Sequence, residues 1–348
     1  MFILLLIICL LTGCKTSEKK QAEESKEPVK ISIILTVDPS TGTKNEQKVV
    51  EAFNKKYKGT YELDVDWIVE TEDDYRQNLK RLNATDELPD IITDLRMLPS
   101  FYQKMIAENR IVDLTPYIDA DEEWSSMIEP VVQEGCTYAD GNIYLAPIST
   151  AALSCCGIFW NQELFQKAGI DSFPTTWDEL KEAAQALTTE SVTGLAFCSL
   201  QNEEGTFNFS PWLWSTGATS YEMDSEGGIR ALTFIKDLVE SGAMSKECIN
   251  WTQGDVMNQF ISGNVAMMVN GPWQIETMRS EAPDLNWDVT LLPKDKEYAS
   301  VIGGENYAVI AGGNEEGALN FLTYATEEEQ VMTMMEKLGY ISADKDIA

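Results

Sequence analysis

Residues 29–93 confine this chain to an α/β fold. Ile31, Ile33, Ile34 and Leu35 form an apolar run whose side chains point both ways, which a strand can bury only inside a sheet covered on both faces. A turn-rich loop, VDPSTGT, follows. Thr43 and Glu46 then have the spacing of a capping box for a helix whose Val49, Phe53 and Tyr57 share one face and which Gly59 stops. Tyr61, Leu63, Val65, Trp67 and Val69 alternate with Glu62, Asp64 and Asp66, the period of a half-buried strand with Trp67 on its core side. Thr71 and Asp74 open a second helix bearing Tyr75, Leu79 and Leu82, and Pro89 leads into a short strand, Asp90 to Thr93. This strand, helix, strand, helix, strand order predicts a parallel sheet with right-handed crossovers. Ligands of such sheets sit beyond the carboxyl ends of the strands. The loop with Asp38, Ser40 and Thr41 and the stretch with Asp94 and Arg96 are therefore the first binding candidates. Asp94 has a plainer alternative, capping the turn that follows it.

A second dense run of signals lies at Tyr144 to Thr188, YLAPISTAALSCCGIFWNQELFQKAGIDSFPTTWDELKEAAQALT. Asp140 and Gly141 form a turn before a strand from Ile143 to Pro147. Gly157 to Trp160 is a short apolar strand, and Asn161 after it suits a helix N-cap. Leu164, Phe165 and Ala168 share one side of that helix, and Gly169 ends it. Thr176 and Glu179 form a capping box for a helix with Trp177, Leu180, Ala184 and Leu187 on one face.

With 348 residues and 44% apolar content the chain can bury a large core and, by size, divides into two domains. The formal charge of −31 repels phosphate backbones, so no nucleic-acid partner is expected. There is no histidine, which removes the usual general base and the commonest zinc ligand; no catalytic residue, cofactor or metal is expected. Of seven cysteines, Cys9 lies in an apolar leader and Cys14 follows it. Cys136, Cys155, Cys156, Cys198 and Cys248 have no metal-knuckle spacing, and Cys155 and Cys156 read as small buried residues on opposite faces of a strand.

Met1 to Thr12 carry no charge and are shorter than a membrane span, the length of a signal-peptide core. Leu11, Thr12, Gly13 and Cys14 match a lipobox, whose cysteine is acylated before cleavage leaves it first in the chain. Lys15 to Pro28 has no side chain able to build a core and reads as a disordered tether.

Two aromatic segments remain. In GTFNFSPWLWSTGAT, Gly205 to Thr219, the rings of Phe207, Phe209, Trp212 and Trp214 follow no sustained period. Rings stack on the apolar faces of pyranose sugars, so such a cluster suits the floor of a saccharide cleft; packing in the core is the alternative. Met257, Phe260, Ile261, Val265, Ala266 and Met267 form a helix and a buried strand that ends at Asn270, Gly271, Pro272 and Trp273, where Gly and Pro fix a turn.

The order YLAPIS, FWNQELFQKAGI, PTTWDEL, then FISGNVAMMVNGPW at Phe260 to Trp273, behind a lipobox, resembles family 1 extracellular solute-binding proteins, the sugar receptors of ABC importers. The resemblance implies an α/β fold of two lobes, each a mainly parallel sheet flanked by helices, with hinge crossings between them. It implies a signal peptide at 1–13, a tether at 14–28, a first lobe of 29–148 and 304–340, and a second of 149–303 and 341–348 whose C-terminal part is missing. Met332, Met334 and Met335 fall in the last of two helices, Glu316 to Thr326 and Glu327 to Leu338, the latter boxed by Thr326 and Glu329, and read as core filler. Ser300 to Asn306, with Gly303 and Gly304, resembles the second crossing.

In such receptors the first-lobe loops offer polar groups to sugar hydroxyls and the tryptophan of Gly-Pro-Trp stacks on the sugar. Asp38, Ser40, Thr41, Asp94, Arg96, Phe207, Trp212, Trp214, Trp273 and Asn306 are thereby expected to bind ligand. The implied partners are an oligosaccharide, the permease subunits of an ABC transporter and, through Cys14, the outer face of the cell membrane. Ala151 stands where maltodextrin receptors carry an acidic residue. A polyamine in the same fold is the alternative ligand. A surface glycosidase is the alternative class, but Glu203 and Glu204, adjacent in what reads as an extended segment, make no facing pair.

If Cys14 is the acylated residue, Cys14→Ser abolishes incorporation of labelled fatty acid and leaves the protein unprocessed or in the soluble fraction; labelling that survives overturns the lipobox reading.

Overall fold

The computed structural model describes residues 27–37, 44, 46–69, 72–93, 99–127, 136–147, 154–303 and 306–338. Residues Cys14, Asp38, Ser40, Thr41, Thr43, Thr71, Asp94, Arg96, Ala151, Gly304 and Gly339 to Ala348 lie outside these ranges.

The first lobe begins with β1 (Val29–Thr36), α1 (Gln47–Lys56), β2 (Tyr61–Ile68), α2 (Glu72–Thr85) and β3 (Ile91–Thr93). It continues through α3 (Pro99–Ala107), α4 (Thr115–Ala120), α5 (Glu122–Met127) and β4 (Ala146–Pro147). As the both-face apolar run of β1 requires, that strand is central. It pairs in parallel with β2, Ile33 opposite Val65, and with β3, Ile33 opposite Ile91. Phe53 of α1 is wholly buried, and Gly59 takes the left-handed φ of 86° after the helix. Trp67 packs half-buried against the first-lobe core with the Lys44 ammonium 5.0 Å over its ring.

After β4 the chain passes β5 (Ser154–Cys155) and enters the second lobe at β6 (Gly157–Asn161), α6 (Gln162–Ala168) and α7 (Trp177–Leu187). Asn161 caps α6 by accepting from Leu164 N, Gly169 ends it at φ 73°, and the Thr176–Glu179 box on α7 is complete. Trp177, Leu180, Ala184 and Leu187 are all buried; on α6 Phe165 is buried, while Leu164 is half-buried and Ala168 exposed. Then come β7 (Thr193–Ala196), α8 (Glu203–Ser215), α9 (Glu226–Glu240), α10 (Gln253–Ile261), β8 (Val265–Asn270), a 3₁₀ turn at Pro272–Gln274, α11 (Ile275–Glu281) and β9 (Trp287–Thr290). The chain returns through β10 (Ile302–Gly303) to β11 (Asn306–Val309), α12 (Glu315–Thr326) and α13 (Glu328–Leu338).

The two sheets share one design. The first has the order β2-β1-β3-β11-β4 and the second β7-β8-β6-β9. In each, the strand that enters after a crossing runs against the others: β11 is antiparallel to β3 and β4, and β6 is antiparallel to β8 and β9. The crossings themselves pair as a two-stranded ribbon, Cys155 opposite Ile302 and Ser154 opposite Gly303.

Several local expectations change. No side chain caps α1; Glu46 holds the N-cap position. Residues 203–215, read as irregular, are helical: Asn202 caps them by accepting from Gly205 N, and Glu203 and Glu204 lie in the first turn rather than in an extended segment. Pro211 sits inside that helix. It hides the helical period from a sequence reading, although the packing of the flanking turns outweighs the loss of one backbone bond. Thr326 makes no box for α13, because its hydroxyl donates back to Thr323 O at 2.7 Å. Met332 is exposed, not core filler, and the side chains of Met334 and Met335 fall outside those described. Cys136, Cys156, Cys198 and Cys248 are free and buried, and burial pushes the Cys198 thiol up to about 12, so it stays neutral and inert. Among the described residues no helix is long and apolar enough to cross a membrane, and no group of side chains could hold a metal ion.

Asp90 fastens the returning chain into the first lobe. Its Oδ2 accepts from Ser32 N and Ser32 Oγ, both at 2.7 Å, while its Oδ1 accepts from Asn314 N at 2.7 Å. One carboxylate thus ties β1, the edge of β3 and the start of α12. Asp90→Ala should cost about 2–3 kcal/mol, because it strands partly buried donors that had a charged acceptor. Chemical denaturation of the variant checks this; a loss below about 0.5 kcal/mol would show that water replaces the carboxylate.

Candidate functional site

The first-lobe rim is set by the ends of β1 and β3. Two buried tyrosines, Tyr75 of α2 and Tyr102 of α3, converge on Thr93 at the end of β3: the Tyr102 hydroxyl donates to Thr93 O, and the Tyr75 hydroxyl lies 3.2 Å from Thr93 Oγ1. The backbone that leads into 94–98 therefore starts from a fixed point. Asp38, Ser40, Thr41, Asp94 and Arg96 follow these strand ends but lie outside the described residues. Asn306 opens β11 beside the crossing. It is half-buried, stands opposite Pro147, and its Oδ1 accepts the Cys136 thiol at 3.5 Å.

The second-lobe wall is built from α8 and the end of β8. All six residues of β8 are buried, and the strand lies between β7 and β6. At its end Asn270, fully buried, donates from Nδ2 to Gln253 O at 2.9 Å and accepts from Gly271 N at 3.0 Å, so the exit of the strand is tied to the start of α10. The 3₁₀ turn then lifts Trp273 out of the sheet. Its indole is half-buried and stands outside the second-lobe core, edge-to-face with Phe207 at a centroid distance of 5.4 Å and an interplanar angle of 65°. The turn also touches β5, which places this aromatic pair beside the crossing ribbon.

Helix α8 divides the expected aromatics between its faces. Trp212 is 1% exposed and packs among Trp177, Phe197 and Phe234. The expectation that Trp212 binds ligand is thus corrected: its place five residues from Phe207 turns it to the core. Trp214, seven residues from Phe207 and so on the same helical stripe, is half-buried against the rim of that core. Pro211 has no N–H to donate to Phe207 O, and that carbonyl accepts the Cys156 thiol at 3.5 Å. The helix is thereby tied to β6 at the hinge side.

One contact was not foreseen. Arg76 of α2 and Glu203 at the start of α8 approach to 3.8 Å, an ion pair from one lobe to the other, with Arg76 mostly shielded and Glu203 largely exposed. No signal in the sequence joins residues of separate lobes, so only the fold reveals it.

Two α/β lobes are thus joined by paired crossings, with an aromatic pair beside them. The chain belongs to the bacterial extracellular solute-binding protein family, whose pattern it matches over residues 48–348. A binding protein of Brucella abortus is 26% identical over 268 residues, 74% of this chain and 62% of its own length, so the chain spans less than two thirds of that curated relative. Among solved structures, an ABC transporter solute-binding protein from Thermotoga lettingae bound to α-D-tagatose superposes with a TM-score of 0.78, at 24% identity over 92% of this chain and 82% of its own. The GacH receptor of Streptomyces glaucescens, solved unliganded and with acarbose, gives a TM-score of 0.72 at 25% identity over 92% and 82%.

Exposed or half-exposed ion pairs contribute little. Arg76→Gln should therefore weaken ligand affinity by no more than about fivefold and reduce its dependence on salt, and Glu203→Gln should do the same. Titration of both variants at two ionic strengths checks this; a much larger loss in Arg76→Gln alone would mean that Arg76 meets the ligand itself.

Proposed function

We propose that this protein is the extracytoplasmic receptor of an ABC importer, held to the cell membrane by lipidated Cys14, which closes its two lobes over a saccharide and presents it to the permease. The observation that carries the reading is the Trp273–Phe207 pair. Trp273 stands half-buried outside the core beside the crossing ribbon, with the half-buried Phe207 packed between it and the core, an arrangement that suits the apolar face of a pyranose. Solved structures of the same fold hold α-D-tagatose and acarbose, both carbohydrate-like, which supports a sugar over a polyamine.

In this reading Trp273 is the stacking platform, Phe207 braces it, and Trp214 extends the aromatic stripe two helical turns further. From the first lobe, Asp38, Ser40, Thr41, Asp94 and Arg96, with Asn306 at the crossing, bond the hydroxyls left free at the ring edge; charged groups bind neutral hydroxyls strongly. The lobes run over 29–148 with 304–340, and 149–303 with 341–348. Closure follows because a sugar touching both rims binds the closed form alone, so its binding energy shifts the population. The family is one of binding proteins, and no catalytic step is assigned.

A screen of mono- and oligosaccharides by thermal shift identifies the sugar. With that sugar, Trp273→Ala should lose about thirtyfold or more in affinity, the roughly 2 kcal/mol of a well-packed aromatic anchor, while the unliganded protein melts nearly as before. Retained affinity with a collapsed melting temperature would overturn the platform reading and return Trp273 to a packing role. Strong competition by salt or spermidine would favour a cationic solute.

A further inference from the structure

The backbone at Gly271 takes φ −115° and ψ 173°, ordinary extended geometry that any residue adopts. Glycine is therefore not required there for its conformational freedom, which is the reason a Gly-Pro turn first suggests. The requirement is spatial. A Cβ built on Gly271 would overlap the six-membered ring of Trp273, meeting Cη2, Cζ3 and Cε3 of the indole. The indole folds back onto the bare Cα of the residue two places before it, while Phe207 meets it edge-on.

We infer that Gly271 is a positioning residue for the ligand platform: by lacking a side chain it lets the Trp273 ring lie flat against the end of β8 and present its remaining face to the cleft. Any larger residue at 271 swings the ring off its seat without disturbing the sheet, because β8 ends at Asn270, whose own bonds to Gln253 O and Gly271 N use backbone that an alanine keeps. The consequence for binding rests on the sugar reading given above; the placement of the ring does not.

The test uses the full chain labelled with 5-fluorotryptophan. The fluorine line missing from Trp273→Phe is that of Trp273. In Gly271→Ala this line should shift and broaden more strongly with a soluble paramagnetic agent, by about twofold as the ring leaves its packed seat, while the other tryptophan lines stay in place. Sugar affinity should fall about tenfold or more in Gly271→Ala and change less than about twofold when the same substitution is made in Trp273→Ala, since coupled neighbours are non-additive. An unmoved Trp273 line overturns the inference, as does an equal loss of affinity in both backgrounds, which would mean that Gly271 acts through the backbone. Should Trp273→Ala leave affinity intact while the line still moves in Gly271→Ala, the sugar reading falls and the seating of the ring stands.

Discussion

The pairing of β11 with β3 and β4 is the constraint on which the rest of the molecule depends. Strands β3 and β4 are not neighbours; they are joined only by a segment that arrives after the whole second lobe has been threaded. The first lobe cannot complete its sheet until the chain has gone out and come back. Closing so long a loop costs conformational entropy, though only logarithmically in its length, and what offsets it is the burial of Tyr307, Ala308 and Val309 together with the ladder on both sides. The same return brings the two crossings side by side, where they pair as an antiparallel ribbon.

Much of this was legible in the sequence. The both-face run of β1, the alternation of β2 as far as Trp67, the cap at Asn161, the αL glycine at 169 and the Thr176–Glu179 box each rest on a local rule that the fold obeys, whereas Val69, expected on the same face of β2, lies past the strand's end and is exposed. What escaped was decided by packing between distant elements. Residues 203–215 lack a clean period because Pro211 and a crowd of rings obscure it, yet Trp212 packs among Trp177, Phe197 and Phe234 and the segment holds a helix. Trp212 and Trp214 look equivalent in sequence; only their angle around α8 separates a core residue from one at the rim. Thr326 is no cap because it is itself the last residue of the preceding helix, whose Thr323 carbonyl takes its hydroxyl.

Aromatic residues at a binding rim face two demands. They must be held still, or ordering them consumes binding energy, and they must remain partly exposed. In the sugar reading proposed above, both are met by backbone. Trp273 is held by the naked Cα of Gly271, and the helix bearing Phe207 is tied through a carbonyl, free because of Pro211, to the thiol of Cys156. A glycine without a side chain and a proline without a donor thus set these two positions.

Strand β8 has no solvent face at all: each of its six residues is enclosed, and it lies between two other strands. Trp273 is mounted in the turn that leaves this enclosed strand. A load applied to that indole has nowhere soft to dissipate and passes into the lobe as a torque about the crossing ribbon. Such a mounting favours a switch over a dial: the lobe turns as one piece or not at all.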